Sequence, residues 1–214
     1  MISEKLAVFF SNLKKDNSSF FEDNWNLILE SEDLKENFLS YCLEEKAWKS
    51  FELGIKKELK NIRSIIFANA IRKNQEKILG LIKENNLLDL KSKKASDLFN
   101  IALMMNDVVV IDFLKDKVLY AKDVINYALK SKNENVVKDV INKMGVIEKI
   151  EVFKEENNPV CIATYNYENN LKDILALLIE KLKDKSLIKE GSDYFKINDL
   201  QMHEKFKKAL EQTL

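Results

Sequence analysis

Apolar positions along this chain fall in short stripes spaced for one face of a helix, separated by polar turns. Leu171, Ile174, Leu175 and Leu178 form the strongest of them. Upstream stands the single proline, Pro159, at the start of a helix-like pattern, where its missing N–H would have had no partner anyway. Residues 1–60 predict three or so helices without a clear repeat. The first carries Leu6, Phe9, Phe10 and Leu13. A short second one, with Asp23 as candidate cap, carries Trp25, Ile28 and Leu29. A third, opened by Ser31 or Asp33, carries Phe38, Leu39, Cys42, Leu43, Ala47, Trp48 and Phe51. Further on, Ser96-Asp97 reads as a cap pair and Gly145 as the end of a helix. Residues 146–157 read as a hairpin-like finger or a short helix, and Gly191-Ser192-Asp193 as a break. Asp199 then opens a last helix with Leu200, His203, Phe206 and Leu210 on one face.

The stripes recur in register. Eight and twelve residues after Ala70 stand Ile78 and Ile82; after Ala102, Val110 and Leu114; after Ala128, Val136 and Val140; after Ala163, Leu171 and Leu175. Four residues before each alanine stands Ile66, Leu98, Val124 or Pro159, and three before stands Phe67, Phe99, Ile125 or Val160. The alanines are 26 to 35 residues apart, one helix–turn–helix unit per step. A period in that range is the mark of a solenoid; a helical bundle whose stripes align by chance is the competing reading.

Asn158-Pro159-Val160-Cys161-Ile162-Ala163 stands where ankyrin repeats carry Thr-Pro-Leu-His-x-Ala. Val109-Val110-Ile111-Asp112-Phe113-Leu114 and Val136-Val137-Lys138-Asp139-Val140-Ile141 stand where they carry Val-Val-x-Leu-Leu-Leu. Over about residues 62–182 the unit therefore resembles a degenerate ankyrin repeat. It departs in having one proline, no histidine in the motif, and no glycine ending the inner helix. That slot holds Asn74 and Asn106, asparagine being the best non-glycine residue for a left-handed helix cap. In the other two units it falls on Lys132 and Tyr167, beside Asn133 and Asn166. The family's second small alanine is replaced by Ile71, Leu103, Leu129 and Thr164, so helix pairs are expected to pack farther apart than in regular ankyrins.

The resemblance implies an all-α, ankyrin-like helix–turn–helix solenoid. Residues 1–60 would form a helical N-terminal cap, 61–185 about four repeats, and 186–214 a C-terminal capping helix. It also implies a concave binding face made by the residues two and three positions after each alanine: Arg72 and Lys73, Met104 and Met105, Lys130 and Ser131, Tyr165 and Asn166. An exposed Met/Tyr centre rimmed by basic residues suits a protein partner. The alternative is that Met104 and Met105 pack between neighbouring units.

Composition narrows the function classes. Four glycines in 214 residues disfavour a protein of many strands and turns. Net charge is zero, with 35 basic and 35 acidic residues, which argues against a large nucleic-acid footprint. A local patch of Arg72, Lys73, Lys91, Lys93, Lys94 and Lys130 would be needed for one. Cys42 and Cys161 lie in different elements and read as reduced thiols. No window matches a secretory signal or a membrane span, so the expectation is a cytoplasmic monomer without membrane contact. Delivery into a host cell would need a signal not visible here.

Chemistry is sparse. His203 has no second histidine or cysteine nearby, against the three or four ligands zinc requires. Cys161 holds an inner-helix core position and reads as an inert thiol. No glycine-rich phosphate loop is present, and no carboxylate pair stands out. The expected function is a non-enzymatic protein–protein interaction module, an adaptor, inhibitor or effector, with no cofactor, metal or catalytic residue. The alternatives are an α-solenoid binding nucleic acid and an all-α enzyme using Asp/Glu, the latter requiring two or more buried carboxylates in one pocket.

Overall fold

A computed structural model describes residues 2–213, with side chains described from Lys5 onward. The described residues form fifteen α-helices and no strand ladder. They divide into two compact units, residues 1–95 and 96–214.

The first unit holds α1 (Ile2–Lys14), α2 (Ser18–Asp23), α3 (Trp25–Leu29), α4 (Glu32–Glu45), α5 (Trp48–Lys56), α6 (Ser64–Arg72) and α7 (Glu76–Glu84). Residues 1–60 thus contain five helices where three were predicted. Asp23 ends α2 rather than capping α3, whereas Ser31 caps α4 by accepting a hydrogen bond from the Leu34 amide. The aromatic weight is spent internally. Phe9, Phe21 and Phe38 are fully buried and meet edge to face, with ring centroids 5.3 to 6.1 Å apart, and Trp25 closes on Phe38. Such pairs add stability beyond area burial alone. α5 has no side-chain cap of its own. Asp16, in the turn after α1, fills that role by accepting from the Lys49 and Ser50 amides and the Ser50 hydroxyl.

The second unit continues with α8 (Lys93–Met104), α9 (Val108–Leu114), α10 (Val124–Lys130), α11 (Glu134–Met144), α12 (Pro159–Asn166), α13 (Leu171–Lys181), α14 (Ser186–Asn198) and α15 (Leu200–Glu211). Two layers are visible in its packing: α10 on α12 on α14, and α11 on α13 on α15. The aligned positions form the core. All four alanines are buried, as are the aliphatics eight and twelve residues after each.

Several local expectations hold. Pro159 stands in the first turn of α12, behind a cap at Asn158 that the sequence pattern does not single out. Gly145 ends α11 with φ +70°. Asp199 caps α15 through the Met202 amide. Others are corrected. α8 begins at Lys93, so Ser96 is not a cap; it lies inside the helix and donates to the Leu119 carbonyl. Residues 146–157 form neither hairpin nor α-helix. Two 3-10 turns run over 151–153 and 155–157, and Ile147 bridges to Leu182 through its amide on the Lys181 carbonyl.

Gly191-Ser192-Asp193 is no break either. α14 runs through it, so residues 186–214 hold two helices. Gly191 is there because α12 approaches too closely for a side chain. A Cβ on it would lie 2.5 Å from Val160 Cγ2 and 3.3 Å from Cys161 Sγ. Asn158 ties the same helices together. Fully buried, it accepts from the Val160 amide and donates to the Leu187 carbonyl at 2.6 Å.

The glycines give opposed predictions. A Cβ on Gly80, inside α7, would meet only Glu84 Oε1, at 4.0 Å, so Gly80→Ala should raise stability by about 0.5–1 kcal/mol. Gly191→Ala should lower it by about 1–3 kcal/mol through overpacking. Urea midpoints at unchanged m-value measure both.

Candidate functional site

The hairpins α6–α7, α8–α9 and α10–α11 turn on one residue in the left-handed region: Asn74 at φ +47°, Asn106 at +52° and Lys132 at +57°. All three occupy the slot picked out in the sequence. The amide that follows closes the turn on the carbonyl of the aligned alanine, Gln75 on Ala70 at 2.8 Å and Asp107 on Ala102 at 2.9 Å. Orphan carbonyls at the helix end are thereby satisfied. In the third hairpin Ser131 intervenes: its hydroxyl donates to the Ala128 carbonyl at 2.6 Å and accepts from the Asn133 amide at 3.2 Å. The fourth slot differs. Tyr167 has φ −118°, and α13 begins only at Leu171.

The same turn appears where no repeat was read. Lys46, at φ +58°, follows α4, and the Ala47 amide closes on the Cys42 carbonyl at 2.8 Å. Cys42 therefore stands in the alanine position of an α4–α5 hairpin. The signal was hidden because its small residue is a cysteine, and Ser50 and Gly54 hold the buried positions eight and twelve residues on.

These turns set the candidate surface. In the first unit, Arg72 and Lys73 lie exposed at the end of α6. In the second, Met104 and Met105 are 55% and 64% exposed at the end of α8, which rules out burial between neighbours. Ile101, Val108 and Val109 extend that apolar patch. Lys130 is exposed at the end of α10. Ser131 is a correction: it is buried, its hydroxyl used within the turn, and it presents nothing to a partner. Tyr165 is 44% exposed with its ring edge on Phe195, centroids 5.4 Å apart. Burial first, and the neighbouring Tyr194 second, push its phenol up to about 12. Asn166 is half-buried beside it.

Lys130, Tyr165 and Asn166 come together. With Glu156, Asn157, Ile162 and Tyr194 they line an open cleft of about 440 Å³. Asn157 of this lining is held by Asn126, which donates from Nδ2 to its carbonyl at 2.9 Å. On the far side, the turns after α8 and α10 are joined by Asn133 Nδ2 donating to Asn106 Oδ1 at 3.2 Å. Sequence reasoning missed Glu156, Tyr194 and Ile197. Ile197, 82% exposed at the end of α14, holds the place there that Tyr165 holds on α12. Reading Gly191 as a break concealed it.

Other chemistry is inert or structural. Burial pushes the Cys161 thiol up to about 12, and burial followed by the Asp16 charge raises Cys42. His203 Nε2 lies 3.4 Å from the Ser192 hydroxyl. Among the described residues no cluster of three or more His, Cys, Asp or Glu could hold a metal, and no carboxylate is buried. A second cleft, of about 530 Å³, contains Lys115, Asp116, Lys122, Lys143 and Glu148, whose charges are taken up in ion pairs. Lys94, one of the cations a nucleic-acid face would need, donates to the Ile62 carbonyl, and burial lowers its pKa. No described helix is long and apolar enough to cross a membrane. No protein-family model, curated protein or solved structure matches the chain.

The thiols provide a check on this packing. Neither Cys42 nor Cys161 should react with a disulfide reagent at pH 8 in the folded protein, because attack requires thiolate and access. Both should react fully after denaturation.

Proposed function

We propose that this chain is a degenerate ankyrin-like repeat protein whose activity is to bind another protein, without catalysis of its own. The binding face is formed in the second unit by the exposed ends of α8, α10 and α12, with Met104, Met105, Lys130, Tyr165 and Asn166. Arg72 and Lys73 hold the corresponding place on α6 in the first unit. One observation carries the reading: Met104, Met105 and Tyr165 are left exposed at the ends of α8 and α12, while Ala102 and Ala163, two or three residues earlier, are buried. Exposed apolar surface costs solubility, and a contiguous patch of it marks an interaction site. Methionine and tyrosine suit the task, one adapting its shape and the other giving rigid area. A role as adaptor, inhibitor or effector follows, exercised as a monomer. Free Cys42 and Cys161 fit a reducing compartment such as the cytoplasm.

The test is a pull-down from cell lysate with the intact protein beside the Met104→Glu/Tyr165→Glu variant, once circular dichroism gives both the same helix content and melting temperature. A single protein species retained by the first and lost by the second is expected, and Met105→Ala should weaken its retention without changing the melting temperature. Retention of the same species by both would overturn the proposed face.

A further inference from the structure

Peroxides act on protein sulfur, on cysteine as thiolate and on methionine as thioether, and in both cases the sulfur must be accessible. The chain carries five methionines and two cysteines. Cys42 and Cys161 are buried, and burial raises both thiol pKa values, so thiolate is scarce. Met144 on α11 and Met202 on α15 are half-buried. Met104 and Met105 differ from these, at 55% and 64% exposure. Met1 lies outside the residues whose side chains are described. The accessible sulfur of the described side chains is therefore gathered in one adjacent pair, and that pair belongs to the proposed binding face.

Oxygen added to this pair would act differently in the free and the bound protein. Both side chains leave the packed layer at the end of α8, so a sulfoxide there is solvated and the core is untouched. Ile101 lies four residues before Met105, on the same side of the helix, and Val108 and Val109 open α9 just beyond. Their side chains offer no hydrogen-bond donor. Under a partner that covers this patch, the sulfoxide oxygen becomes a buried acceptor whose desolvation is uncompensated. The modification weakens the complex and leaves the fold intact.

We propose that Met104 and Met105 form a reversible oxidation switch on the binding face. Hydrogen peroxide converts them to methionine sulfoxide, and the partner protein is released. The thioether sulfur attacks one peroxide oxygen: an S–O bond forms, the O–O bond breaks, and the departing hydroxide takes up the proton of the transferred oxygen and leaves as water. Sulfur loses two electrons and the peroxide gains them. A methionine sulfoxide reductase reverses the step, its thiols supplying two electrons and two protons to give thioether, disulfide and water. The assignment rests on the protein-binding reading above and adds its regulation.

The test treats the full chain with hydrogen peroxide, stops the reaction with catalase and follows each methionine by peptide mass spectrometry. Met104 and Met105 should gain oxygen several-fold faster than Met144 and Met202, at an unchanged melting temperature. In the lysate pull-down, the species retained by the untreated chain should be lost after oxidation and regained after treatment with the reductase. The Met104→Leu/Met105→Leu variant keeps volume and apolarity without sulfur, and it should retain that species before and after peroxide. Oxidation of Met144 or Met202 as fast as the pair, or a lowered melting temperature, would overturn the switch. So would retention by the oxidised chain, or loss from the leucine variant on peroxide treatment. Failure of the untreated chain to retain any species would overturn the binding face itself, and the switch with it.

Discussion

The left-handed turn at the end of the first helix is the constraint on which the α4–α5, α6–α7, α8–α9 and α10–α11 hairpins depend. A helix end leaves carbonyls without partners; in the α4–α5, α6–α7 and α8–α9 hairpins one is closed by an amide five residues on, and in α10–α11 the Ser131 hydroxyl bridges the same two positions. One residue with φ near +50° makes this possible. The turn has a fixed length, so the second helix starts at a fixed distance from the buried alanine. That is why the aliphatics fall at the same two offsets after Ala70, Ala102 and Ala128. In the fourth hairpin the left-handed residue is missing and α13 starts later, yet Leu171 and Leu175 are still buried. There the position eight residues on lies in the first turn of its helix, and packing has fixed the register without the turn.

Surface and core follow from one geometry. Side chains in the last turn of these helices mostly leave the packed layer and are presented to solvent, the buried Ser131 being an exception. Glutamates stand there after α4, basic residues after α6, methionines after α8, lysine after α10, tyrosine after α12 and isoleucine after α14. Polar groups inside the layers are used to join neighbours. Asn126 reaches the loop before α12, and Asn158 reaches α14. A buried amide so placed is costly to leave unpaired, which makes both residues determinants of spacing between helices as well as caps or struts.

Much of this was legible in the sequence because it depends on periodicity. The alanines, their aliphatic partners, the asparagine turns, Gly145 and the position of Pro159 in a first helical turn are all local patterns. What stayed hidden depends on contacts distant in the chain. Gly191 looks like a breaker until Val160 and Cys161 are seen against it. The α4–α5 hairpin uses cysteine, serine and glycine where the others use alanine and aliphatics, so no hydrophobic stripe announces it. Ser131 was placed on the candidate surface by its offset alone, although a short hydroxyl beside a helix end finds backbone partners first. The cleft needed Glu156 and Tyr194, from elements that only folding brings beside Tyr165.

Hydrogen exchange at single-residue resolution tests the central claim most directly. The amides of Ala47, Gln75 and Asp107 lie outside helices, and each donates to a carbonyl five residues back. The account predicts that they exchange as slowly as amides inside the flanking helices, because opening the turn opens the hairpin. Exchange at the rate of an unprotected loop would mean that these turns are not what fixes the hairpins.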